Sequence, residues 1–216
     1  MTADWIAADW PAPPGVIAGT TLRTGRLDTL DLPGQPCWLD QVHGADVVIA
    51  GQYATPPAAD ASVGRLVGDV CVVRTADCLP VLFCASGGNE VAAAHAGWRG
   101  LAAGILEATI AKMVHPPADI LVWLGPAIAQ PAFEVGEEVF DAFVGADPGA
   151  AGSFEPNDRG RWQADLYDLA RRRLLNAGIT GIFGGGFCTF SDPLRFYSYR
   201  RNADCGRMIS FVARRT

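Results

Sequence analysis

The chain has 216 residues, half of them apolar and 19% charged, which excludes global disorder and allows a core that needs no disulfides. Its formal charge of −6 argues against a nucleic-acid partner, which would need a basic face. No apolar run is long enough to span a membrane, and the start MTADWIAADWPAPPG carries acids but no base, unlike a secretory leader. A cytoplasmic protein without a membrane partner is therefore expected.

Taken in chain order, residues 70–74 (VCVVR) predict a strand, being short, apolar and β-branched. After the break at TADCLP, residues 79–84 (LPVLFC) predict a second strand with Pro80 near its start, and Gly87–Gly88 a turn. Residues 90–94 (EVAAA) fit a third strand, ended by His95-Ala96-Gly97. From Trp98 the period changes to helical, with Ala102, Ile105, Leu106, Thr109, Ile110 and Met113 on one stripe until Pro116–Pro117 stop it. Residues 119–124 return to strand, 134–144 predict a helix, and the Ala/Gly/Pro-rich stretch 145–153 predicts a surface loop. A further helix is expected over 165–177, capped by Asp165 and closed by Gly178; its three arginines, Arg171 to Arg173, point in different directions. Gly184 to Gly186 match no phosphate-loop pattern and predict a strand end or bulge, while 207–213 predict a closing strand. Strands and helices mixed in this order imply an α/β or α+β sandwich, in a single domain spanning 1–216.

The six cysteines, Cys37, Cys71, Cys78, Cys84, Cys188 and Cys205, include no CxxC pair and are expected to be free thiols. Of the three histidines, His43 sits in QVHGADVV and His95 at the strand-to-helix junction AAAHAGWRG, with Cys78 at a strand break between them. Their separations of 35 and 17 residues match no zinc finger, but all three lie where an element ends beside Gly or Pro, so they can converge on a cleft. Two imidazoles and a thiolate suit zinc, with copper possible, and three protein ligands leave a fourth position for water, whose pKa zinc lowers to roughly 7. Asp46 or Asp77 could orient a ligand or accept a proton. On the residues alone, two hydrogen-bonded core histidines with a packing cysteine is the commoner arrangement. Metal binding comes next, and a Cys78 nucleophile with His95 as its base third. His115, near a predicted helix end, reads as a surface residue. Arg23, Arg99, Arg200 and Arg201 are either anion contacts or salt-bridge partners. Phe196, Tyr197 and Tyr199 either stack on a base or form one strand.

The strings QVHGADVV, ADCLPVLF, AAHAGWRGLAAGILEATI, WLGPAI, FEVGEEV, CT and FYSYRR…GRM, in this order from about residue 15 onward, closely resemble the YfiH-type family. That family has been called laccase domain or polyphenol oxidase, purine nucleoside phosphorylase, and peptidoglycan editing factor. The resemblance implies a mixed α and β fold, a layered α-β-β-α sandwich, with His43, Cys78 and His95 as metal ligands. It implies phosphorolysis of adenosine, inosine and methylthioadenosine and deamination of adenosine, with nucleoside and phosphate as partners of a monomer or small homo-oligomer. Cys78, Asp77 and Arg99 are the candidate catalytic residues, and Arg23, Gln41 and Arg200 the candidate substrate contacts. Alternatives are a peptidoglycan-precursor editing hydrolase, a copper-dependent phenol oxidase, for which three histidines are too few, and a non-enzymatic binding module. The sequence departs from the family's pattern twice. Arg26 stands where the early motif has a glycine. Asp31 stands at an asparagine after which the family carries a longer, helix-bearing segment, where here only PGQPC precedes Trp38. A more open cleft is expected from the shorter connection.

Overall fold

A computed structural model describes residues 4–215. Along the chain run strands β1 (Trp5–Ala7), β2 (Val16–Thr21), β3 (Pro36–Cys37), β4 (Val47–Ile49), β5 (Ala61–Gly64), β6 (Val70–Thr75), β7 (Leu79–Ala85) and β8 (Val91–Ala96). Helices α1 (Trp98–Ala103) and α2 (Ile105–Lys112) precede β9 (Ile120–Leu124), β10 (Glu134–Val135) and α3 (Glu137–Val144). Then come β11 (Phe154–Pro156), β12 (Trp162–Ala164), α4 (Leu166–Asn176), β13 (Gly181–Gly184) and β14 (Met208–Arg214).

Two sheets stack face to face. One has the order β1-β2-β14-β6-β3, the other β13-β9-β7-β8-β5-β4, and a small third sheet is β10-β12-β11. Strands β7 and β8 are buried along their whole length. Their runs LPVLFCA and VAAAHA are apolar on both faces because Val81, Phe83, Ala92 and Ala94 meet the helices while Leu82, Cys84, Val91 and Ala93 meet the other sheet. Helices α1, α2 and α4 lie on the outer face of the six-stranded sheet, burying Leu101, Ile105, Leu106, Leu169 and Leu174, while α3 packs Phe140 and Phe143 on Phe154 and Trp162 of the small sheet. The outer face of the five-stranded sheet, with Val70, Val72, Phe211 and Ala213, is covered by Trp5 and by the chain around Leu27, Leu30 and Leu32, which forms only one 3-10 turn, Leu27–Thr29. The mixed α and β sandwich is thus as expected, with its fourth layer reduced to that segment.

Most predicted elements form, with differences that have local causes. The helix expected from Trp98 onward breaks at Gly104, whose φ of 93° is left-handed, into α1 and α2. The helix expected over 134–144 starts at Glu137, because Glu134 and Val135 pair with Gln163 and Trp162 on β12. The stretch 145–153, expected as a surface loop, winds into a 3-10 helix over Pro148–Ser153 that buries Ala150 and Ser153. Asp165 caps α4 by accepting from the Tyr167 and Asp168 N–H groups. Gly178 follows α4 at a φ of 91°. The FYSYRR stretch lies in no strand; Phe196 is buried and Tyr199 exposed.

Candidate metal centre

Three segments deliver the site. Cys78 lies at the break between β6 and β7, and His95 near the end of β8, paired across from Pro80. His43 sits in the loop before β4 with a left-handed φ of 61°, a conformation uncommon outside glycine. One ligand atom from each of His43, Cys78 and His95 lies within 4.8 Å of the others, so a closure of roughly 1 Å brings them onto metal bonds of ~2.0–2.3 Å. The two imidazoles meet edge to face with centroids 4.8 Å apart.

Two glycines make this convergence possible. A side chain at Gly97 would place its Cβ 2.8 Å from the Cys78 Sγ and 3.3 Å from His43, and at Gly100 a Cβ would lie 2.9 Å from the Gly44 carbonyl oxygen. The HAGWRG string is therefore a packing requirement as much as a ligand carrier.

A carboxylate that sequence reasoning missed organises the site. Asp60 is fully buried and accepts hydrogen bonds from the Val42, His43 and Gly44 N–H groups at 3.1, 3.0 and 2.7 Å. His95 Nδ1 lies 2.8 Å from its Oδ1. Burial opposes its ionisation, but His95 and the backbone donors outweigh that and hold its pKa below the usual carboxylate range. The available signal was an acid enclosed by small apolar residues in PAADASVG, at the head of a strand.

The same balance acts on the ligands. Burial pushes the Cys78 thiol up, yet hydrogen bonds from His43 and His95 dominate and lower it to about 6. Burial pulls His95 down, and Asp60 with Cys78 raises it to about 9. Cys71 and Cys84, by contrast, are pushed up by burial to about 12. All six cysteines are free thiols. Two imidazoles beside a thiol that ionises near neutrality form a donor set that fits a zinc-type ion.

Asp77, at a φ of 84°, accepts from the Thr189 hydroxyl (2.6 Å), the Ser198 hydroxyl (3.0 Å) and the Arg200 N–H (2.7 Å), tying residues 189–200 to the Cys78 turn. Asp46 is exposed, and it is its carbonyl that meets the Asp60 N–H. The Gln41 amide pairs with both backbone groups of Arg74. Arg23 donates to the Pro193 carbonyl, Arg200 to those of Ala132 and Glu134, and Arg201 to those of Thr189, Phe190 and Phe196. Arg99 stacks on Trp98, is exposed and forms no ion pair among the described residues. His115 is held at 3.0 Å by buried Glu90 rather than by a helix end. Two cavities, of about 210 and 410 Å³, flank Trp38 and include none of the three ligands; the ligand cluster itself opens to solvent through His43.

The sequence profile of a family described as "Multi-copper polyphenol oxidoreductase laccase" matches residues 22–215. The chain is 49% identical to the Pseudomonas aeruginosa protein named purine nucleoside phosphorylase PA4543, over 96% of this chain and 97% of that one. It is 45% identical to the Escherichia coli purine nucleoside phosphorylase YfiH, with the same coverage. These alignments run over 236 and 237 positions, more than this chain has residues, so both relatives carry segments that it lacks. Among solved structures, Neisseria meningitidis NMB0706 superposes with a TM-score of 0.95 at 41% identity, covering 99% of this chain and 100% of that one. Geobacillus stearothermophilus YlmD superposes at 0.91 with 26% identity, covering 100% and 98%. With a profile match over nine-tenths of the chain, relatives 45–49% identical along nearly its whole length and a shared fold, the chain belongs to the YfiH-type family, the one whose profile is described as multi-copper polyphenol oxidoreductase laccase.

Proposed function

We propose that the chain is a metal-dependent purine nucleoside enzyme, phosphorolysing adenosine, inosine and methylthioadenosine and deaminating adenosine, with His43, Cys78 and His95 holding a zinc ion. The observation that carries this reading is the convergence of those three side chains around a buried carboxylate, in a chain whose relatives are named purine nucleoside phosphorylases. Zinc bound there supplies a Lewis acid and activates water near neutral pH.

The chain's own residues divide the remaining work. Cys78 offers a thiolate at neutral pH because the two histidines stabilise its charge. Asp60 holds the His95 ring through Nδ1. Asp77 keeps residues 189–200 against the site, its carboxylate taking the Thr189 and Ser198 hydroxyls and the Arg200 N–H. Among Arg23, Arg99, Arg200 and Arg201, Arg99 is the guanidinium left for phosphate, because the other three donate to backbone carbonyls. A single domain over 1–216 fits the antiparallel pairing of β14 with β2, which joins the two ends of the chain.

Oxidase chemistry of the multi-copper kind is disfavoured. Only three histidines occur in the chain, and His115 is bound to Glu90. The test is incubation of zinc-loaded protein with adenosine and phosphate, with His43→Ala as control. Inosine, adenine and ribose phosphate above the control are expected; their absence sinks the proposal.

A further inference from the structure

We infer that Asp60 is the positioning residue of this centre: one carboxylate fixes both the nitrogen that His95 presents and the turn that presents His43. The inference rests on the metal reading above. Its two oxygens take four donors from two segments that each carry a ligand. Oδ1 faces His95 Nδ1 and the His43 N–H, while Oδ2 takes the Val42 and Gly44 N–H groups.

Two consequences follow. A carboxylate against His95 Nδ1 keeps a proton on that nitrogen, so Nε2 is the one that gives up its proton to a metal. On the other side, His43 holds a left-handed φ of 61°, and three consecutive N–H groups converging on Asp60 are what keep the backbone there. Asp60 is itself held by the strand frame, since it lies across from His95 and its carbonyl accepts the His95 N–H at 2.7 Å. Neither of the two acids singled out from the sequence competes for the role. Asp46 is exposed, and Asp77 is engaged by Thr189, Ser198 and Arg200. Asparagine at position 60 would present an N–H₂ to a cluster made entirely of donors.

The test is zinc affinity by chelator competition, together with the absorption of the cobalt-substituted protein, for wild type and Asp60→Asn. Thermal unfolding of the metal-free forms reports folding. We expect Asp60→Asn to bind zinc ~10–100-fold more weakly and to alter the cobalt–thiolate band. In a His95→Ala background the same substitution should cost at least about threefold less, because part of its effect runs through that ring. Zinc affinity within about twofold of wild type, with an unchanged cobalt spectrum, overturns the inference, as does an equal loss in both backgrounds. Should Asp60→Asn fail to fold, the zinc-loaded wild type decides by ¹⁵N-histidine spectra. A proton on His95 Nδ1 is expected, and a metal-bound Nδ1 overturns the inference. A wild-type protein that binds neither metal overturns the metal reading and this inference together, which is distinct from a wild type that binds and a variant that binds equally well.

Discussion

Gly97→Ala adds one methyl group at the point where the site is tightest. Its Cβ would stand 2.8 Å from the Cys78 Sγ and 3.3 Å from the His43 ring, where ordinary contacts are ~3.5–4.0 Å. The backbone raises no objection, since φ and ψ of −62° and 159° suit alanine. Replacing glycine at such a position stabilises by ~0.4–1 kcal/mol through the unfolded chain. Most of the penalty therefore falls on the sulfur, which must retreat by roughly 1 Å, with a few tenths of an ångström asked of the His43 ring, while metal sites tolerate shifts of ~0.2 Å. Overpacking of this size costs ~1–3 kcal/mol, so the metal-free variant should melt a few degrees lower, and moving the sulfur off its position should lower zinc affinity by a similar amount, roughly 5- to 150-fold. Calorimetry measures the first and chelator competition the second. Removing the sulfur removes the obstacle, so Gly97→Ala should be neutral or stabilising in a Cys78→Ala background. Unchanged zinc affinity in the single variant, or a stability penalty that persists once the sulfur is gone, would refute the reasoning.

In the metal-free protein, Cys78 is a thiolate above a pKa of about 6, so its alkylation rate should rise through pH 6 and level off by pH 8, while Cys71 and Cys84, near 12, stay silent. The depressed pKa makes the thiolate's contribution to stability complete above the ordinary value of 9.0 and lost as pH falls through about 6; an alkylation midpoint near 9 contradicts this. Asp77→Ala leaves two hydroxyls and the Arg200 N–H without their acceptor, and should cost roughly 3 kcal/mol and open residues 189–200 to proteolysis before global unfolding. An unchanged unfolding midpoint with intact protease resistance would exclude that anchoring role. Arg99→Ala should raise the KM for phosphate about tenfold or more without moving the melting temperature, because the side chain is exposed and outside any ion pair among the described residues. Initial rates across phosphate concentrations settle it, an unaltered KM counting against Arg99.

The strands around the site were legible because β6, β7, β8 and β9 are short apolar runs bounded by turn residues, and the ligands sit at the ends of those runs or in the loop before a strand. Helix α4 was legible through its Asp165 cap and its stripe. Where residues serve long-range pairing, the local pattern misleads. Glu134 and Val135 look helical until β12 arrives beside them, and Gly104 looks like a tolerated glycine until its left-handed φ splits the helix. Asp60 was invisible for the same reason. Nothing in its own segment names the three N–H groups and the imidazole that surround it, which come from positions 16 to 35 residues away. Asp77 stands beside Cys78 in the sequence, but the partners of its carboxylate lie more than 110 residues further along the chain.

The pairing of β5 with β8 carries a last implication. Ala61 faces Ala94, Ser62 faces Ala93 and Val63 faces Ala92, a ladder of small side chains that offers little to tell one alignment from the next. Sliding β5 by one residue would turn its side chains to the opposite face while still setting its small residues mostly against the alanines of β8. It would also strand a buried Asp60 charge away from His95 and from the 42–44 turn, at a cost of ~3–5 kcal/mol for an uncompensated buried charge. The bond that prepares the ligand thus also acts as the registration pin of an otherwise slippery strand pair, and a chain that captures metal has, by that act, proved its sheet correctly aligned.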